Sequence, residues 1–124
     1  MYGMSPVAMY GAVVPGMKPI LEFNKKNSPD AVHTVRYIQG WTAMMVMWEG
    51  LKRADKAGQL NGPGLKAALE TLKDFDVGDL APPITYTPTD HRPAMSATIY
   101  KMSQGKLVPV KKVSIAREDR FLGW

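Results

Sequence analysis

A chain of 124 residues is long enough for one domain with a real core, but not for two. Its hydrophobic fraction of 45% and charged fraction of 22% are those of an ordinary folded soluble protein and exclude a disordered one. Sixteen basic against 11 acidic residues give a net charge of +5, and the absence of cysteine excludes disulfides, thiolate catalysis and Cys-based metal sites.

Met1–Gly16 is small, apolar and broken by Gly3, Pro6, Gly11, Pro15 and Gly16, which reads as a short strand or loop entering a helix. Met17–Asn27 follows as a modest helix, with Ile20, Leu21 and Phe23 expected on its apolar side. Lys25 and Lys26 fall in its last turn, where cations suit the helix dipole. Pro29 in Asn27-Ser28-Pro29-Asp30 stops it.

The strongest element is a helix from about Val32 or Thr34 to Ala57. Ile38, Trp41, Met45, Trp48 and Leu51 recur at spacings of three and four, which predicts one buried face. Met44 and Met47 widen that stripe until the middle is apolar almost all round, as in a helix held between two layers. The apolar run Met44–Trp48 is far short of the roughly 18 residues that span a bilayer. Gly58 supplies a C-terminal cap.

Asn61-Gly62-Pro63-Gly64 resets the chain. The spacing of Leu65, Ala68, Leu69, Leu72 and Phe75 then predicts a second amphipathic helix of about a dozen residues. Gly78–Pro83 reads as a linker and Ile84–Thr87 as a short strand. Ala97–Met102 and Leu107–Val110 form a hairpin around Ser103-Gln104-Gly105-Lys106, and Pro109 marks its last strand as an edge. Residues 114–124 read as a polar, extended tail ending in Phe121-Leu122-Gly123-Trp124, an aromatic end expected to dock on something. Helices first and strands late, without repeated βαβ units, make the chain α+β when taken alone.

Chemistry is sparse. Asp90 beside His91 invites a catalytic reading, but neighbours in an extended chain point opposite ways, so the stretch is expected to be a structural turn. His33 and His91 are the sole histidines, and without Cys or an i,i+4 pair they predict no metal site. Gly58–Gly64 lacks the Gly-Lys-Ser/Thr ending of a phosphate loop, and no Gly-x-Ser-x-Gly elbow occurs. The expectation is therefore no enzyme, no cofactor and no metal. The basic residues are scattered, with Lys25-Lys26 and Lys111-Lys112 the densest pairs, which speaks against nucleic acid. A small standalone basic protein that binds nucleic acid or another protein stays as the alternative. Tyr37, Gln39 and Trp41 lie at or near a helix N-terminus, where backbone N–H groups favour a carboxylate.

Several weak features in one order carry a resemblance. They are Phe23-Asn24-Lys25-Lys26, Tyr37-Ile38-Gln39-Gly40-Trp41 with its long helix, Lys52-Arg53-Ala54, Ala67-Ala68-Leu69-Glu70, Asp90-His91-Arg92 and the hairpin Lys101–Val110. This order resembles the C-terminal part of ABC-transporter solute-binding proteins of the branched-chain amino acid (Leu/Ile/Val) type. The resemblance implies an α/β fold, the type I periplasmic-binding-protein lobe, of which this chain is a segment of two to three helices followed by short strands. Residues 1–124 would then form a single incomplete domain, about the last third of a two-lobed receptor. It implies a periplasmic protein whose signal peptide lies on the missing N-terminal part. Such a receptor takes up a small amino acid or carboxylic acid, branched-chain or aromatic, and hands it to an ABC permease without catalysis. Tyr37, Ile38, Gln39 and Trp41 are the positions carried over as the edge of the ligand cleft. Exposed apolar helix surface, Trp41 to Trp48, is further expected to drive homo-oligomer formation.

Overall fold

The computed structural model describes residues 1–121. Three helices and three strands occur: β1 (Tyr2–Ser5), α1 (Met17–Asn27), α2 (Val35–Lys56), α3 (Gly62–Leu69), β2 (Ser96–Ser103) and β3 (Lys106–Ser114), with a short 3₁₀ turn at Asp119–Phe121. This is the mixed helix-and-strand segment anticipated from the element order. The side chain of Phe121 and residues 122–124 lie outside the described residues, and with them the expected docking of the aromatic end.

The strands form one antiparallel sheet in the order β1-β2-β3. Gln104 and Gly105 at the hairpin tip both have positive φ (49° and 75°), the backbone of a two-residue turn whose twist matches that of its strands. Ile99 pairs with Lys111 but Tyr100 with Pro109, so Val110 is the extra residue of a bulge. Pro109, which has no N–H to give, sits on the edge strand as its chemistry requires. The opening segment is more structured than its glycines and prolines suggest. Tyr2–Ser5 pairs with Thr98–Lys101 at the other sheet edge, and Val7 and Ala8 enter the core.

That core joins Val7, Ala8, Met17, Ile20, Ile38, Val46, Leu72, Val77, Leu80 and Ile84. Almost half of it comes from the irregular stretch after α3. The expected linker is a corner of the core: Leu80 is fully buried and its carbonyl accepts from the Ala8 N–H at 2.7 Å.

The helices keep their places but match the expected inner faces only in part: Ile20 and Ile38 are buried as expected, and Trp41 and Met45 pack against the core half-buried. On α1 the buried residues are Met17, Ile20 and Asn24, while Leu21 and Phe23 stand exposed. On α2 the buried stripe is Ile38, Thr42, Val46, Gly50 and Ala54, and Trp48 is 62% exposed. The bulky stripe expected from periodicity is displaced because α3 crosses closely over small residues. A Cβ on Gly50 would lie 2.6 Å from Leu69 Cδ2. Met44 and Met47 also face outward, so the middle of α2 is covered on one side and bare on the other.

α3 ends at Leu69, earlier than its apolar spacing suggests. The Thr71 hydroxyl donates back to the Ala68 carbonyl at 2.6 Å, and Asp74 takes a positive φ. Phe75 leaves the helix to pair with Ile84, each N–H meeting the other's carbonyl at 2.9 Å. Ile84–Thr87 is accordingly not a strand of the sheet. Its residues bond to Phe75, Leu72 and Asp90 within the loop.

Candidate functional site

The described residues offer two candidate sites, the N-terminal end of α2 and a groove along its middle. At the first, Thr34 caps the helix, its hydroxyl accepting from the Arg36 N–H at 3.3 Å. The one-residue steps from Tyr37 to Trp41 distribute these side chains around the helix. Ile38 is wholly buried in the core. Tyr37 and Trp41 face α1, their rings 6.3 Å apart, and Phe23 meets Trp41 edge-on at 5.8 Å. Gln39 points the other way, toward the groove, where its Oε1 accepts from Arg36 at 3.2 Å.

Asn24 ties the aromatic side together. Its amide donates to the Tyr10 hydroxyl at 3.1 Å, and its carbonyl oxygen accepts from the Tyr37 hydroxyl at 2.7 Å. His33 lies against both rings, with centroids 4.9 Å from Tyr10 and 4.5 Å from Tyr37. Sequence reasoning passed over Tyr10, Asn24 and His33 as partners of Tyr37. One signal was legible: an Asn placed at i+4 from Ile20 on the apolar face of α1 must find a buried partner.

The groove measures about 700 Å³ and runs between α2, α3 and residues 81–96. Val7, Val46, Leu65, Leu69 and Ile84 line it, as does Thr42, whose hydroxyl has almost no exposed surface of its own. That hydroxyl is buried and has no hydrogen-bond partner within the described residues. At one end stand Lys66, Glu70, Tyr86 and His91. The Glu70 carboxylate accepts from Lys66 and meets His91 Nε2 at 2.8 Å. Those contacts, Lys66 first and His91 second, hold the Glu70 carboxyl below its usual range. Burial pushes the Tyr86 phenol up, and its ring meets His91 edge-on at 6.2 Å.

The Asp90-His91-Arg92 stretch is a structural turn. Asp90 does not face His91. It receives Arg92 through two side-chain bonds at 2.9 and 2.8 Å, the Arg92 backbone N–H at 2.9 Å, and Arg117 at 2.6 Å. The Asp90 carboxyl is therefore held far below the ordinary carboxylate range, by the Arg92 side chain before all else. Arg117 lies 27 residues away, so Asp90 ties the tail following β3 onto the loop. Among the described residues no group of three His, Cys, Asp or Glu could hold a metal ion, and no helix is long and apolar enough to cross a membrane.

An aromatic-lined helix end, a satisfied acid turn and an open apolar groove make up the candidate site. The comparisons with known proteins agree on its class. The sequence profile of the periplasmic binding protein family matches residues 18–106, and the chain belongs to that family. No curated protein sequence matches. Among solved structures, a branched chain amino acid ABC transporter protein from Thermus thermophilus with bound valine superposes with a TM-score of 0.82 at 20% identity. The match covers 93% of this chain and 33% of that one. A fatty acid ABC transporter substrate-binding protein from Thermomonospora curvata superposes with a TM-score of 0.70, also at 20% identity, over 92% of this chain and 30% of that one. The chain thus spans about a third of the length of the structures it matches, and has the fold of a segment of a type I periplasmic-binding-protein lobe.

Proposed function

We propose that this chain is the C-terminal third of an extracytoplasmic solute receptor that serves an ABC permease. Residues 1–124 form a single incomplete domain in this reading, and the receptor works in the periplasm. It changes no covalent bond; its work is a ligand-dependent shift between open and closed states. The reading rests on the family match over residues 18–106.

The solute is a small amino acid or carboxylic acid, branched-chain or aromatic. The valine bound to the Thermus thermophilus protein and the fatty-acid role of the Thermomonospora curvata protein both lie within or beside that class. Tyr37, Gln39 and Trp41 form the cleft edge that this chain contributes. Ile38, buried in the core, fixes the helix end from which they project. Tyr37 is suited to the task because Asn24 holds its hydroxyl at 2.7 Å, leaving little rotamer freedom to lose on binding.

The coding frame upstream of Met1 provides the test. A continuous frame encoding the rest of a two-lobed receptor is expected, and the protein it encodes should bind L-valine or a related acid in a calorimetric titration. Tyr37→Ala and Trp41→Ala in that protein should weaken binding. A stop codon directly upstream, or a full receptor indifferent to such solutes, overturns the reading.

A further inference from the structure

We propose that the outer face of the β1-β2-β3 sheet is a docking surface for an anionic phospholipid bilayer. The proposal goes beyond the receptor reading and is tested on this chain alone, so its failure leaves that reading standing.

The first observation is charge. Lysines that are spread along the sequence are gathered when the hairpin pairs. Four of the 16 basic residues, Lys101, Lys106, Lys111 and Lys112, lie in the three strands, and none of the 11 acidic ones does. The sheet therefore carries +4 of the chain's net charge of +5. All four lysines are exposed, and none is ion-paired among the described residues. On the helices, by contrast, Lys52 and Lys66 each have a glutamate. A cluster of cations without counter-charges attracts an anionic surface.

The second is register. Residues directly opposite one another in antiparallel strands share a face. Tyr2, Lys101 and Val108 stand in one row across the sheet, Met4, Ile99 and Lys111 in the next, and Ser103 with Lys106 at the hairpin end. Ser5 and Tyr100, both buried, belong to the opposite face, so these rows form the outer one.

The third is the mixture on that face. A strand face turned to water is ordinarily polar, yet Tyr2 is 65%, Met4 71% and Val108 46% exposed between the lysines. Tyrosine joins an apolar ring to a polar tip, and lysine lays an apolar stem beneath its ammonium. Such side chains together fit the boundary between lipid headgroups and acyl chains. Nucleic acid fits less well. The strands hold no arginine for forked contacts, and Tyr2 is their one exposed aromatic, too few for a stacking platform. Met4 and Val108 would gain nothing along a phosphate backbone.

Co-sedimentation tests the proposal, with vesicles of equal phosphatidylglycerol and phosphatidylcholine against phosphatidylcholine alone. The chain should partition onto the mixed vesicles and not onto the neutral ones. Each lysine at an anionic surface is worth about fivefold in partition, so Lys101→Gln combined with Lys111→Gln should weaken it about tenfold or more. Lys18→Gln combined with Lys25→Gln removes the same charge from α1 and should change partition by less than about twofold. High salt should erase the effect of the sheet lysines, while Tyr2→Ser still weakens what binding remains. The chain has no cysteine, so Val108→Cys carries a single solvatochromic dye. Its emission should shift to the blue on the mixed vesicles, and that of the same dye on Lys26→Cys should not. No partition onto the mixed vesicles, an equal loss from the α1 pair, or a dye at position 108 that stays in water on bound vesicles overturns the proposal. Single-stranded DNA that displaces the chain from the vesicles gives the lysines to nucleic acid. A blue shift at position 108 on raising the chain's own concentration without lipid gives the face to a second copy. Either result also refutes it.

Discussion

Gly78→Ala tests whether the opening segment is held on the core by direct backbone contact. Gly78 has a φ of +67°, and a Cβ there would lie 2.7 Å from both Gly16 Cα and Gly16 N. The same approach carries the hydrogen bond from the Gly16 N–H to the Gly78 carbonyl at 2.8 Å. The left-handed backbone costs a residue with a Cβ about 1–2 kcal/mol. Forcing a methyl group into closely packed backbone adds about 1–3 kcal/mol. Together these give a loss of about 2–5 kcal/mol, a large share of the ~5–15 kcal/mol that a domain typically has. Urea unfolding followed by tryptophan fluorescence measures it. Gly40→Ala is the matched control: it lies within α2 with nothing within 4 Å of its would-be Cβ. Alanine there should stabilise by about 0.5–1 kcal/mol, the difference in helix propensity. A Gly78→Ala loss below about 0.5 kcal/mol, or one no different from Gly40→Ala, would refute the argument.

Other perturbations follow from the same geometry. Ile38→Ala removes a fully buried side chain and should cost about 2–5 kcal/mol in the same urea assay, in contrast to Leu21→Ala on the exposed face of α1. The lowered Asp90 carboxyl stabilises the fold above its unfolded value near ~3.9 and loses that contribution as the pH falls below it. Urea midpoints from pH 7 down to about 2 should therefore fall less steeply for Asp90→Asn than for the natural chain below about pH 4, though the variant starts lower. Trp48→Glu should reduce concentration-dependent self-association in sedimentation velocity, because Trp48 is 62% exposed beside Met44 and Met47; a natural chain that stays monomeric at all concentrations counts against that expectation.

Local chemistry made much of this chain legible. Pro29 and the two lysines before it bounded α1, Thr34 capped α2, and Gln104-Gly105 wrote the hairpin turn, each through interactions within a few residues. Pro109 marked its own strand as an edge because a missing N–H is a property of the residue itself. The Asp90-His91-Arg92 turn was readable for the same reason: an extended backbone sends neighbours apart, and His91 indeed reaches Glu70 instead of Asp90.

What the sequence left open depends on elements distant along the chain. Bulk suggested Trp48 and Met45 as the inner face of α2; Met45 does pack against the core, but Trp48 stands exposed, and helix-to-helix approach selected Gly50, whose value lies in the space it leaves for Leu65 and Leu69. Phe75 kept helical spacing in sequence but paired with Ile84, since two backbone bonds across the loop outweigh one more helical turn. Asn24 became the link between Tyr10 and Tyr37 only when α1 met α2. The sequence alone determined where helices begin and where the chain turns, because those are matters of single residues and near neighbours. The tertiary structure alone decided which face of α2 is buried and that a groove opens beside it, because these depend on distances between segments that no local pattern records.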